Sequence, residues 1–389
     1  MTATLRALHS LRVLDVGTQV AGPFVATILG DLGADVIKCE QPALGDPLRL
    51  PGGMSPGWQV DGRNKWSCTL NLRHQQGQAL LKRLAEWADV LVENFRPGTM
   101  ARWGLAYDDL RLINRRLVYV SVSGFGQSGP YARRVAYHSI GAAFGGITDR
   151  TGFADEPPAT PGPFLTDYIA ALFGAIGALE ALRRRDAPDG TGEGERVDTA
   201  LYDSVTRLSA PEFAEYSLTG TVRERTDGPP MRTRDGRYVV ILPVQPDQYA
   251  ALVRLIGEPA LSDQKFTTAH RRTQHIGEFE AIVSHCVGSL DAADALHKLI
   301  AAGVPASQVN NVADLVDNEH VRARNDLVSL TNHLGQTVML PGVVPRFCRS
   351  PNAPRWLGEE LGASNEYVYH TLLGLSADDV SQLHRDGVI

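Results

Sequence analysis

Long hydrophobic runs, clustered cysteines and an excess of basic charge are all missing from this chain of 389 residues. No apolar run approaches the ~18 residues of a membrane span, so no membrane partner is expected. The start, MTATLRALHSLRVLDVG, lacks the apolar core and small-residue cleavage site of a secretory leader. The four cysteines, Cys39, Cys68, Cys286 and Cys348, are scattered, with no CxxC and no Cys/His zinc spacing. That pattern points to a reduced, cytoplasmic protein without a structural metal. Lysine plus arginine (38) fall short of aspartate plus glutamate (44), giving a net charge of −6. A broadly basic nucleic-acid binder is thereby disfavoured, although a local basic pocket is not. A GxGxxG motif is absent from the first strand–helix turn. So are a Walker P-loop, HExxH and GxSxG.

What is present is an ordinary globular composition, 43% hydrophobic and 21% charged. At about 150 residues per domain, the length suggests two to three domains. Leu11–Val16, Asp35–Glu40, Val90–Glu93 and Leu117–Val122 are short apolar runs that read as buried strands. Between them, the stretch after Ala21-Gly22-Pro23 and the segment Gln75–Ala88 carry helical spacing. Such alternation predicts a parallel sheet covered by helices. Ala154–Pro163 is a loop by composition, and Asp167–Arg185 reads as one long, mostly apolar helix ending in three arginines. A charged, Gly- and Pro-containing linker is expected over 220–235. A strand at Tyr238–Leu242, a helix at Pro246–Ile256, a hairpin within Leu327–Leu340 and a final helical pair over Asn365–Ile389 follow.

Asp167 is the informative acid. It follows Gly162-Pro163-Phe164-Leu165-Thr166 and precedes the apolar helix. In one reading it is an N-cap that satisfies free helix amides. In the other it is a carboxylate nucleophile, ionised by the helix end and stripped of water by an apolar wall. Both roles use the same oxygens, so geometry decides between them.

Several segments in order resemble the class III CoA-transferases, a family that also contains formyl-CoA transferases, carnitine-CoA transferases and α-methylacyl-CoA racemases. They are LRVLDVGTQVAGPFVATILGDLGADVIKCEQPALGDPLR, NKWSCTLNLR, ADVLVENFRPGTMARWGL, VYVSVSGFGQSGPY and TGFADEPPATPGPFLTDYIAALFGAIGALEALRRR, with LLGLSADDVSQLHRDGVI at the end. The resemblance spans most of the chain and is densest over residues 11–185. It implies an α/β fold with a doubly wound, Rossmann-like large domain and a smaller inserted α/β domain. The large domain would take residues 1–219 and 326–389, the linker 220–235 and the small domain 236–325. It further implies an interlocked homodimer acting on an acyl-CoA and a carboxylic acid acceptor, with coenzyme A carried as the acyl-CoA substrate.

The resemblance also assigns roles. Asp167 matches the catalytic aspartate, which attacks the thioester. Val20 and Ala21 match residues near the thioester, and Gln41 a nucleotide-side position. Leu70 and Arg73 match adenine- and phosphate-side contacts, and Asn94, Phe95, Arg96 and Arg102 the ENFRPGT loop and its sequel. Arginines suit phosphates because their planar fork binds two oxygens at once. Tyr137 and His138 fall where the subfamilies divide. Transferases carry tyrosine at the position of Tyr137, whereas racemases carry histidine there. His138 is therefore displaced by one, leaving CoA transfer as the leading activity and a racemase using His138 and Asp167 as the alternative. Two departures stand out. The transferases often carry glutamine where this chain has Val20. The glycine-rich shielding loop of formyl-CoA transferases is also missing, since Gly220, Gly228 and Gly236 are the only glycines over 220–240.

Overall fold

The computed structural model describes residues 6–50, 55–153, 156–222 and 230–389. These fall into two compact units. The larger comprises residues up to Asp149, Thr160–Ser217 and Asn325–Ile389; the smaller comprises Arg150–Ala159 and Leu218–Arg324.

Six parallel strands form the spine of the larger unit: β1 (Arg12–Asp15), β2 (Asp35–Glu40), β3 (Lys65–Thr69), β4 (Val90–Glu93), β5 (Val118–Ser123) and β6 (Arg196–Ala200). Their order is β3-β2-β1-β4-β5-β6, with every pairing parallel. Alternate strand residues face opposite layers. Leu14, Ile37, Leu91 and Tyr119 pack on one face with the helix Gln75–Trp87 and with Tyr369, Val388 and Ile389. Val13, Val36, Val90 and Val120 pack on the other, against the helices Ala21–Asp31 and Leu165–Asp186. The C-terminal segment thus returns to cover the first face.

The helix Leu165–Asp186 is long and apolar enough, at a mean hydropathy of 1.5, to cross a membrane by length and composition. Counting unbroken apolar runs misses it, so the expectation that nothing approaches a span needs this correction. Its small residues Ala170, Ala171, Gly174, Ala175 and Ala178 are buried in the sheet-facing core. A Cβ on Gly174 would lie 3.0 Å from Val25 Cγ2, so glycine permits the close helix–helix approach there.

The expected strands match β1, β2, β4 and β5 within a residue or two, while β3 and β6 carry too few apolar residues to read as strands. Antiparallel strands β10 (Leu327–Thr331) and β11 (Thr337–Pro341) form the expected hairpin. The tail is a helical pair, π-helical over Glu366–Leu372 and α-helical over Ala377–Arg385. Cys39 and Cys68, far apart in sequence, face each other on β2 and β3 with sulfurs 3.5 Å apart.

The smaller unit holds an antiparallel sheet of β7 (Met231–Arg232), β8 (Tyr238–Ile241) and β9 (Ala306–Gln308). Helices Pro246–Ile256, Ile276–Val287 and Ala292–Ala301 share a core through Leu252, Val283 and Leu299. Part of the expected linker, including Gly228, lies outside the described residues. Met231 and Arg232, also within that stretch, are strand residues paired to Val239 and Tyr238.

Candidate active site

In open parallel sheets a ligand crevice forms at the carboxyl ends of the strands, where strand order reverses. Here that point lies between β1 and β4. The turn after β1 is bound to the loop after β4 by Asn94. Its Oδ1 accepts from the Thr18 N–H at 2.7 Å and its Nδ2 donates to the Thr18 carbonyl at 2.8 Å. Glycine makes the approach possible: a Cβ on Gly22 would lie 3.0 Å from Asn94 Cβ. Glu93 fixes the next residue by accepting from the Phe95 N–H at 2.8 Å, and burial pushes its carboxyl up to about 7.

A buried ionic cluster supports the same turn from below. Lys38 and Lys65 are almost fully buried beside Asp15 and Asp46. Lys38 Nζ lies 3.5 Å from Asp15 and 3.1 Å from Asp46, and it donates to the Gly17 carbonyl. Lys65 Nζ lies 2.9 Å from Asp15. Burial alone would raise the Asp15 pKa, but the two ammonium groups outweigh it and hold the carboxyl below its ordinary value. Asp15 accepts from the Gly17 N–H, and both Asp46 oxygens accept from the Gln19 N–H at 3.0 and 3.1 Å. Gln19 is thereby held at φ 61°, in the left-handed region.

Two cavities open above this floor. The first, of about 260 Å³, is lined by Gln19, Val20, Ala21, Asn94, Phe95, Arg96, Ser123, Arg134, Tyr137 and Asp167, among others. The second, of about 590 Å³, is lined by Gln41, Leu70, Arg73, Phe95, Arg96 and Arg102, among others. Phe95 and Arg96 border both. Among the described residues no carboxylate pairs with Arg73, Arg96 or Arg102. Arg96 donates to the Arg133 carbonyl at 3.3 Å, and Arg102 to the Thr99 hydroxyl at 3.0 Å. Arginines without counter-ions on a cavity wall provide anion-binding capacity in a chain of net charge −6.

Asp167 is the third residue of the helix Leu165–Asp186, and Phe164 occupies the N-cap position at φ 58°. The N-cap reading of Asp167 therefore does not hold. Its Oδ2 is buried without a hydrogen-bond partner, and the residue lines the smaller cavity. Burial pushes its carboxyl up to about 6, opposed by the charge of His138 and by bonds from its own N–H and the Thr166 hydroxyl. Such a carboxylate stays ionised at neutral pH yet is more basic than an exposed one.

Of the residues proposed from sequence, all but His138 stand on one cavity wall or the other. Tyr137, extended at φ −125°, precedes the helix His138–Phe144 and is 64% exposed. The His138 ring instead turns toward Thr166. Its Nδ1 accepts from the Thr166 N–H at 3.3 Å, and its Nε2 lies 3.2 Å from the Pro161 carbonyl. Both nitrogens are committed inside the protein. Gln19, Ser123 and Arg134 line the Asp167 cavity without having been singled out in the sequence. A glutamine next to the position where transferases often carry one was the available signal for Gln19.

Comparison with known proteins shows the family. The profile described as CoA-transferase family III matches residues 8–365. The chain belongs to that family. It is 38% identical to the succinyl-CoA–L-malate CoA-transferase beta subunit of Chloroflexus aurantiacus, covering 100% of this chain and 99% of that one. It is 31% identical to the succinyl-CoA:glutarate CoA-transferase of Mus musculus, over 99% of this chain and 91% of that one. Among solved structures, a CAIB/BAIF family protein from Brucella suis superposes with a TM-score of 0.82 at 30% identity. That match covers 94% of this chain and 99% of the other. The family III chain is thus an enzyme of the CoA-transferase class, and CoA thioesters are its substrates.

Proposed function

We propose that this enzyme moves CoA from an acyl-CoA to a carboxylic acid through covalent intermediates on Asp167. The observation that carries this is the partnerless, buried Oδ2 of Asp167 on the wall of the smaller cavity. A buried carboxylate oxygen that no protein donor holds is poised to attack a thioester carbonyl. Attack gives an aspartyl–acyl anhydride and frees the CoA thiolate. The thiolate then attacks the Asp167 carbonyl, releasing the donor's carboxylate and leaving an aspartyl–CoA thioester. The acceptor carboxylate attacks that thioester, forming a second anhydride and freeing thiolate again. The thiolate finally attacks the acceptor's carbonyl, which yields the new acyl-CoA and restores Asp167.

The larger cavity, with Gln41, Leu70, Arg73 and Arg102, would take the nucleotide end of CoA. Arg96 and Phe95 stand at the shared border, and Asn94, Val20, Ala21 and Tyr137 flank the thioester. Developing oxyanions need donors. The side-chain amide of Gln19 and the first amides of the helix Ala21–Asp31 are the candidates on this wall. Exposed apolar side chains at Ile140 (50%), Phe144 (49%), Leu172 (50%) and Ile176 (61%) support a homodimer. Incubation with acyl-CoA and hydroxylamine tests the chemistry. Asp167 should become a hydroxamate, visible as a peptide mass shift, and Asp167→Ala should lose turnover. An unmodified Asp167 in an enzyme that still exchanges CoA would refute the covalent route.

A further inference from the structure

The Asp167 cavity carries a cation that the phosphates assigned to the larger cavity do not require. Arg134 lies on its wall, in a turn closed by the Arg134 N–H donating to the Tyr131 carbonyl at 2.8 Å. Its guanidinium carbon sits 3.5 Å from the centre of the Tyr131 ring. A guanidinium stacked by its face keeps its N–H donors free along the edges. Among the described residues, no carboxylate pairs with Arg134 and no acceptor receives a bond from its side chain.

The platform beneath it is fixed. Tyr131 lies 6.0 Å from Phe125 and 5.8 Å from Phe144, both edge to face. Phe144 in turn meets Phe125 and Tyr202 at 5.1 Å each. Four interlocked rings hold Arg134 in place before any ligand arrives, which lowers the ordering cost of a contact made there. Arg96 borders both cavities, whereas Arg134 borders only the one that holds Asp167. Among the described residues, Asp167 is also the only acid on that wall.

We propose that Arg134 determines acyl specificity by receiving a second carboxylate, at the far end of a short acyl group whose thioester lies at Asp167. The substrate class is then the CoA thioester of a short dicarboxylic acid. This rests on the CoA-transfer function proposed above. A dicarboxylic chain reaches a pre-placed, unpaired fork and gains a charge-assisted, two-point bond. A monocarboxylic chain of equal length leaves that fork without a partner.

The test separates binding from turnover. Succinyl-CoA, butyryl-CoA and free CoA are titrated into the Asp167→Asn enzyme, with Arg134 intact or replaced by glutamine. With Arg134 intact, succinyl-CoA should bind about ten- to a hundredfold more tightly than butyryl-CoA. In Arg134→Gln that preference should collapse toward unity while free CoA binds as before. Arg134→Lys should restore part of it, since it keeps the charge but loses the fork. No preference with Arg134 intact would overturn the proposal. So would an equal loss for all three ligands in Arg134→Gln, because that places Arg134 on the CoA phosphates. CoA release by the unmodified enzyme in hydroxylamine is measured separately. If neither thioester releases CoA, the transfer function fails, while the binding preference still reports on Arg134.

Discussion

Replacing Asp167 by asparagine should make the protein more stable while abolishing turnover. The carboxyl is pushed from an ordinary value of 3.8 up to about 6 by burial, against the charge of His138 and two local hydrogen bonds. A folded pKa above the unfolded one means that the native state holds the proton more tightly. The ionised form is therefore a burden on the fold. That burden is absent below about pH 4, grows as pH rises through the window between the two values, and is complete above about 6. Two units correspond to about 3 kcal/mol. Asp167 retains some solvent contact, so screening reduces the figure to about 1–2 kcal/mol. Asparagine keeps an acceptor oxygen for the Thr166 hydroxyl and never ionises.

Urea unfolding at pH 7.5 should accordingly show Asp167→Asn more stable by about 1–2 kcal/mol, with the gain shrinking toward zero near pH 4. The difference between the two proteins is the quantity to follow. Glu93, pushed up to about 7 by burial, titrates in both and cancels. The kinetic counterpart has the opposite sign, because the nucleophile is the carboxylate. With a pKa of about 6, about one-tenth of Asp167 is ionised at pH 5, against about nine-tenths for an ordinary aspartate. CoA release into hydroxylamine should fall about tenfold between pH 7 and pH 5. A gain independent of pH, or an asparagine variant no more stable than the parent, would refute the argument that desolvation activates Asp167.

Alanine at Arg73, Arg96 or Arg102 should each weaken CoA binding by about ten- to a hundredfold, and comparison with dephospho-CoA should show which one meets the 3′-phosphate. Unchanged affinity in all three would move the CoA site elsewhere. In deuterated water without an acceptor acid, the enzyme should leave the α-hydrogen of a 2-methylacyl-CoA unexchanged, because both His138 nitrogens are committed to Thr166 and Pro161. Rapid exchange that disappears in His138→Ala would restore the racemase alternative. Lys38→Met should cost about 3–5 kcal/mol in urea unfolding, because it strips Asp46 of its ion-pair partner inside the protein. A cost below about 1 kcal/mol would mean that the cluster relaxes or neutralises without it.

The strands that sequence pattern reveals are those buried on both faces: β1, β2, β4 and β5 are apolar runs because each contributes to both core layers. The edge strands escape for a physical reason. In β3, KWSCT spends Lys65 on the ionic cluster and Ser67 on a bond to Glu40. In β6, RVDTA leaves Arg196 and Asp198 exposed at the sheet edge. Asp167 was legible through its neighbours, a turn followed by an apolar helix start. Arg134 was not, since its setting depends on rings at 125, 131, 144 and 202 that no sequence period connects.

The Val20 position shows why carrying a site over residue by residue reaches a limit. By position, this chain lacks the glutamine that transferases often carry there, and Val20 is indeed buried. A glutamine stands one residue earlier: Gln19 lines the Asp167 cavity. A residue other than glycine in the left-handed region costs of order 1–3 kcal/mol, so something must hold it there. Both Asp46 oxygens accept from its N–H, and Lys38 holds Asp46 while also donating to the Gly17 carbonyl. The buried lysine thus supports the cavity wall without touching the cavity. It stabilises the turn that carries Gln19 and Val20, both of which line the Asp167 cavity. The backbone that brings Gln19 to the cavity wall is set by charges on β1, β2 and the loop after β2.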